Sequence, residues 1–127
     1  MQHQKHFTLD EASQALARIK AQVEQIPKLK RQLDRLGYDP YKKCYTLGSL
    51  DSLKPFPPPM EELAALVTKL HNLGIIVKGL DEGLIDFPHR RANGDEVYLC
   101  WKVGEDALAF WHTVQDGFAG RRPLKEL

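Results

Sequence analysis

The chain has 127 residues, enough to bury the core of a single domain over 1–127, yet few enough that self-association would help its stability. Its 18 Lys and Arg against 17 Asp and Glu leave a formal net charge of +1, which supplies no field to hold a polyanion, so nucleic acid is not an expected partner. Only two cysteines, Cys44 and Cys100, occur, without CxxC spacing and without an apolar leader, and no apolar run approaches the ~18 residues of a membrane span; the expectation is a cytoplasmic protein with neither disulfides nor a membrane segment.

The polar start MQHQKH, with His3 and His6, reads as a frayed terminus, and two histidines without further ligands make no metal clip. Thr8 followed by Glu11 matches a capping box and predicts a helix start. Ala12, Leu16, Ile19, Val23 and Ile26 then recur at spacings of four and three, a heptad-like seam with the charged residues turned outward. Pro27 interrupts the seam and predicts a kinked helix or two abutting ones; the stripe resumes at Leu29, Leu33 and Leu36 until Gly37 stops it. The basic cluster Lys28, Lys30, Arg31 and Arg35 has no interleaved aromatics and reads as a solvated helix face.

Residues Tyr38–Pro58, with Pro40, Gly48, Pro55, Pro57 and Pro58, keep no helical or strand period and read as a long connector, whose Tyr38, Tyr41, Tyr45 and Phe56 are able to pack over a groove. Pro59 suits the first position of a second helix with Leu63, Leu66, Val67, Leu70 and Leu73 on its apolar face and Gly74 at its end. The two helices make a hairpin over 8–74. A continuous first helix would extend roughly 40 Å and the second roughly 22 Å, so part of the seam needs another cover: the connector, the sheet or a second copy of the chain, the last in keeping with the heptad spacing.

Residues 75–127 read as a sheet and a short terminal helix. Ile75–Lys78 is a β-branched run, and Leu84–Arg91 and Glu96–Val103 flank Asn93-Gly94, a pair suited to a two-residue type I′ turn. That turn predicts a three-stranded antiparallel sheet with Arg91 opposite Glu96, Phe87 opposite Cys100 and Asp86 opposite Trp101. Asp86 would then share the buried face with Val97, Leu99, Trp101 and Val103, while Phe87 and His89 lie with Tyr98 and Cys100. Pro88 donates no ladder bond and places its strand at an edge or ends it. Gly104-Glu105-Asp106 turns into a short helix with Leu108, Trp111 and Val114 inward and Gly117 at its close. The expected fold class is therefore α+β: a long helical hairpin, its first helix kinked at Pro27, packed on a small antiparallel sheet with a short C-terminal helix.

Chemically versatile side chains concentrate between Gly83 and Arg122. An Asp86 turned toward an apolar face needs a polar partner, and His112, Arg121 or the indoles of Trp101 and Trp111 are the candidates. The leading expectation is that Asp86, His112 and Arg121 converge as a polar network, either a clamp on the tail or a site in which Arg121 holds a small anionic ligand and His112 moves protons. Trp101 and Trp111 read as core residues first and as an aromatic wall second. Glu105 and His112 sit too far apart on one helix to chelate together, whereas His112 and Asp116 at i and i+4 have metal-ligand spacing if the helix persists. Cys100 with His89 is a weaker nucleophile pair, against the ordinary reading of a structural cysteine.

Gly74-Ile75 through Lys78, Gly83-Leu84-Ile85-Asp86-Phe87-Pro88, Glu96-Val97-Tyr98-Leu99-Cys100-Trp101, Gly104-Glu105, Trp111-His112 and Gly117-Phe118-Ala119-Gly120-Arg121, with the FTLDEA helix start, resemble the prokaryotic DUF2203 family over nearly the full chain. The match is poorest at Tyr38–Pro59, and His89 is outside the pattern. That resemblance implies no activity, because the family name records an unknown function. The expected function is a small cytoplasmic binding or interaction module, homodimeric through the helical seam, with its site at Asp86, His112 and Arg121. The runner-up is a small-molecule hydrolase or transferase, metal-assisted, using the same residues plus Glu105.

Overall fold

A computed structural model describes residues 3–45 and 57–127; the expectations for Gly48, Pro55 and Phe56 lie outside the described residues. The capping box forms at Thr8, whose hydroxyl accepts the Glu11 N–H at 3.1 Å while the Glu11 carboxylate accepts the Thr8 N–H at 2.9 Å. Helices α1 (Leu9–Val23) and α2 (Gln25–Arg35) make one long bent run, interrupted at Glu24. Pro27 is the third residue of α2, where an amide would have no acceptor within that helix.

The seam residues Ala12, Leu16, Ile19, Val23, Ile26, Leu29 and Leu33 are all buried inside one copy, in the same cluster as Met60, Leu63 and Leu70 of α3 (Pro58–Asn72). Leu36 at the end of the stripe stays half exposed, and the rest, for which a second copy is an expected cover, is covered by α3 and the sheet. Lys30 donates to Asp34 at 2.7 Å and to Asp81 at 3.1 Å, which removes it from the basic cluster as a free cation. Helix α3 ends in a Schellman motif: Ile75 N–H reaches the Leu70 carbonyl and Gly74 N–H that of His71, with Gly74 left-handed at φ 88°.

Part of the expected connector is ordered as a hairpin, β1 (Tyr38–Asp39) and β2 (Cys44–Tyr45), closed by an Asp39 carboxylate that accepts the N–H groups of Tyr41 and Lys42. Short side-chain-capped turns leave no period to read. The main sheet is antiparallel and five-stranded in the order β3 (Ile76–Gly79), β4 (Leu84–Arg90), β5 (Glu96–Lys102), β6 (Phe110–Thr113), β7 (Arg122–Pro123). The expected short C-terminal helix is thus replaced by a strand. Aromatic and β-branched residues in Phe110-Trp111-His112-Thr113 suit a pleated surface, and β6 satisfies the ladder groups that β5 would otherwise leave unpaired.

The expected turn and register are also corrected. Arg91 N–H bonds the Asp95 carbonyl at 2.8 Å and Gly94 N–H the Arg91 carbonyl at 2.9 Å, so the loop is the three residues Ala92-Asn93-Gly94, with Gly94 at φ 94°. Arg90 consequently faces Glu96, Asp86 faces Cys100 and Phe87 faces Leu99. This one-residue slip brings Ile85 and Phe87 onto the same face as Val97, Leu99 and Trp101, which the expected register would have split between faces. The apolar pattern outweighs the turn signal.

Two faces result. The inner one carries Ile85, Phe87, Val97, Leu99, Trp101 and Trp111, all in the cluster shared with the helices. The outer one carries Asp86, Pro88, Tyr98, Cys100, Phe110 and His112. Strand β4 is central at Leu84–Asp86, but at Pro88 its edge has outrun β3, and the Pro88 carbonyl accepts the Phe7 N–H at 2.7 Å. The missing Pro88 N–H points to that same edge and costs no ladder bond with β5.

The amino-terminal segment is not frayed where it is described. His3 Nε2 lies 2.7 Å from the Tyr98 hydroxyl, His6 Nε2 lies 2.7 Å from the Glu96 carboxylate, and His89 Nδ1 lies 2.7 Å from the Phe7 carbonyl. Among the described residues no helix is long and apolar enough to cross a membrane.

Candidate functional site

Three adjacent strands converge on the outer face. Strand β4 supplies Asp86, β5 supplies Cys100 directly opposite it, and β6 supplies His112 opposite Tyr98. Period-two alternation sends all four side chains to one side. Asp86, Cys100 and His112 are 1 %, 0 % and 3 % exposed, a burial uncommon for an acid and an imidazole on the side of a sheet away from its helices.

His112 Nε2 stands 3.0 Å from Asp86 Oδ2, and its Nδ1 stands 2.8 Å from the Thr113 carbonyl. A carbonyl only accepts, so Nδ1 carries a proton and Nε2 is the atom turned to the carboxylate. Burial pulls the His112 pKa down, but the hydrogen bond and charge of Asp86 and the Thr113 carbonyl outweigh it, and the net direction is upward from 6.5. Asp86 Oδ1 is buried with no hydrogen-bond partner. One ligand atom from each of Asp86, Cys100 and His112 lies within 4.8 Å of the others. Burial, and then the Asp86 charge, push the Cys100 thiol far above its ordinary range, so it is held protonated.

The rim is aromatic and cationic. The Tyr98 ring tilts against the imidazole at 5.3 Å, with the Lys78 ammonium over Tyr98 at 4.9 Å. Arg121 stacks on Phe110 at 4.1 Å and on Phe118 at 4.8 Å. Its Nη2 donates to Glu105 Oε1 at 2.7 Å and to the Cys100 carbonyl at 3.4 Å. Arg121 is thus held beside the site by Glu105, which also accepts the Lys102 N–H at 2.9 Å and closes the turn after β5.

The structure brings Asp86 and His112 together, sets Arg121 and Glu105 at the border, and keeps the other candidates away. Trp101 and Trp111 point to the inner face, where their indole N–H groups each donate at 3.1 Å to the Glu105 and Pro123 carbonyls. Asp116 is exposed in a turn and its N–H is held by the Thr113 hydroxyl at 3.1 Å; without a terminal helix, His112 and Asp116 share no i, i+4 face. His89 lies opposite Val97 rather than beside Cys100, so the thiol has no such base. Sequence reasoning missed the grouping of Cys100 and Tyr98 with His112, and the aromatic and β-branched residues of Phe110–Thr113 were the signal available. A groove of about 350 Å³ lined by Tyr41, Met60, Leu63, Val67 and Leu80 lies between α3 and the β1–β2 hairpin, but its walls are mainly apolar and the acid and imidazole groups lie elsewhere.

The family model described as "Uncharacterized conserved protein (DUF2203)" matches residues 5–124. Nothing among curated proteins or solved structures matches the chain.

Proposed function

Since the chain belongs to the DUF2203 family, whose description names no activity, we propose from its own geometry that it is a ligand-binding module with its site around Asp86 and His112. The observation that carries this reading is the buried contact between those two side chains at 3.0 Å, with the second carboxylate oxygen left unmet. A buried ion pair adds little stability over apolar residues of similar volume, so a fold selected only for stability has no need of one here. Arg121, stacked on Phe110 and Phe118 and bonded to the Cys100 carbonyl, offers a guanidinium beside the cluster to a small anion that displaces Glu105.

Binding is favoured over catalysis because Cys100 is held as a thiol and His112 is closed onto Asp86, leaving neither an activated nucleophile nor an open base. Self-association stays outside this reading, since the seam it relied on is covered within one copy as far as Leu33. Thermal shift with sodium phosphate, sodium acetate and divalent metal salts tests it on the wild type and Asp86→Asn. At least one class should raise the wild-type Tm and leave Asp86→Asn unmoved. Equal responses in the two proteins, or none in either, overturn the reading.

A further inference from the structure

We propose that Asp86, Cys100 and His112 form a binding site for one divalent transition-metal ion of borderline softness, of the zinc or cobalt class, an assignment that rests on the outer-face cluster being the ligand site. The three residues come from three neighbouring strands, and their donor atoms already lie within 4.8 Å of one another. Donors at ~2.0–2.3 Å from a tetrahedral ion stand roughly 3.3–3.8 Å apart, so small side-chain adjustments admit the ion without moving a strand.

The donor chemistry selects the ion. One imidazole nitrogen, one carboxylate oxygen and one sulfur suit zinc and cobalt, and disfavour magnesium and calcium, which take oxygen shells. His112 has the outer-shell arrangement of a metal-ligating imidazole: Nδ1 is fixed on the Thr113 carbonyl and Nε2 faces the other donors. Asp86 Oδ1, buried and with no hydrogen bond of ordinary geometry beyond the weak donor Cys100 beside the carboxylate, is the independent sign that a group with positive character belongs in the cluster.

Charge balance closes the case. When the ion enters, Cys100 gives its thiol proton to solvent and forms a metal–sulfur bond, and any proton on His112 Nε2 leaves as that nitrogen coordinates. One carboxylate and one thiolate then neutralise a dication, leaving no net charge to bury, with neutral His112 as third ligand. The fourth tetrahedral corner remains for water or a small anion, next to which Arg121 stands on the Cys100 carbonyl.

The test is a titration of the full chain, purified without a histidine tag and stripped by chelator, with Co²⁺ followed by absorbance. The expected result is one ion per chain with a thiolate-to-cobalt charge-transfer band. That band should persist in Cys44→Ser and in a His3→Gln, His6→Gln double variant, and vanish in Cys100→Ser. Asp86→Asn and His112→Gln should each weaken binding by at least about 100-fold, beyond the usual 10–100-fold cost of losing an outer-shell partner. The Cys44→Ser result needs no change inside the cluster, so it stands even if the cluster variants fold poorly. A band that survives Cys100→Ser, or that is lost in Cys44→Ser, overturns the assignment. If Co²⁺ gives no band while phosphate or acetate still stabilises the wild type but not Asp86→Asn, the metal assignment falls and the ligand-site reading stands. If no salt of any class does so, both fall.

Discussion

The two faces of the five-stranded sheet are equally dry and are made so by different means. On the inner face Ile85, Phe87, Val97, Leu99, Trp101 and Trp111 exclude water by packing against the helices. On the outer face Asp86, Tyr98, Cys100 and His112 lose water to covers drawn from the amino-terminal segment, Lys78 and the Arg121 stack. Burial therefore has opposite meanings on the two sides. Inside, each apolar side chain gains from leaving water; outside, each polar atom must find a partner or cost about 1–3 kcal/mol.

The largest effect should come from the inner face, where Trp101→Ala removes a fully buried indole and should cost about 4 kcal/mol, read as a lower urea midpoint at unchanged slope. Next, on the outer face, Asp86→Ala should cost about 3 kcal/mol because it strands the His112 end of the pair, while an Asp86→Leu, His112→Phe double variant should regain wild-type stability or exceed it. If the double variant is as unstable as the single one, the outer face is an ordinary core and the contrast breaks. Arg121→Ala should cost about 1 kcal/mol through lost stacking, and faster hydrogen exchange should then appear in β6 and not at the helix-packed strand centres. The smallest effect is a pH slope in chelator-treated protein. The folded His112 pKa is raised, so the pair's contribution is complete below the ordinary value of 6.5 and fades as pH climbs through the folded value. Wild-type Tm should therefore fall across that window relative to the Leu/Phe double variant, and parallel profiles would show that the imidazole carries no charge there.

Much of the helical layer was legible in the sequence because its signals are local and periodic: the Thr8–Glu11 box, the Ala12–Leu33 stripe and the Gly74 stop each follow from contacts within a turn or two. In the sheet, two local signals point away from the fold. Asn93-Gly94 favours a two-residue turn taken alone, yet keeping Ile85 and Phe87 with Trp101 requires three loop residues. Leu108, Trp111 and Val114 match a helical spacing, while Phe110–Thr113 is rich in residues that favour strands, and the need of β5 for a second neighbour decides between them. Asp86 and His112 meet for a reason the sequence does not state: both face outward across β5, instead of inward beneath the tryptophans. Cys100 reads as a reactive group from the sequence, but its grouping with His112 depends on β6 and is illegible without it.

The clasp of His3 and His6 on Tyr98 and Glu96 has a practical corollary for anyone preparing this molecule. An affinity handle fused ahead of His3 would load that clasp directly, and a polyhistidine one would offer rival imidazoles to the same hydroxyl and carboxylate. A handle that is cleaved away leaves the clasp to its own two histidines.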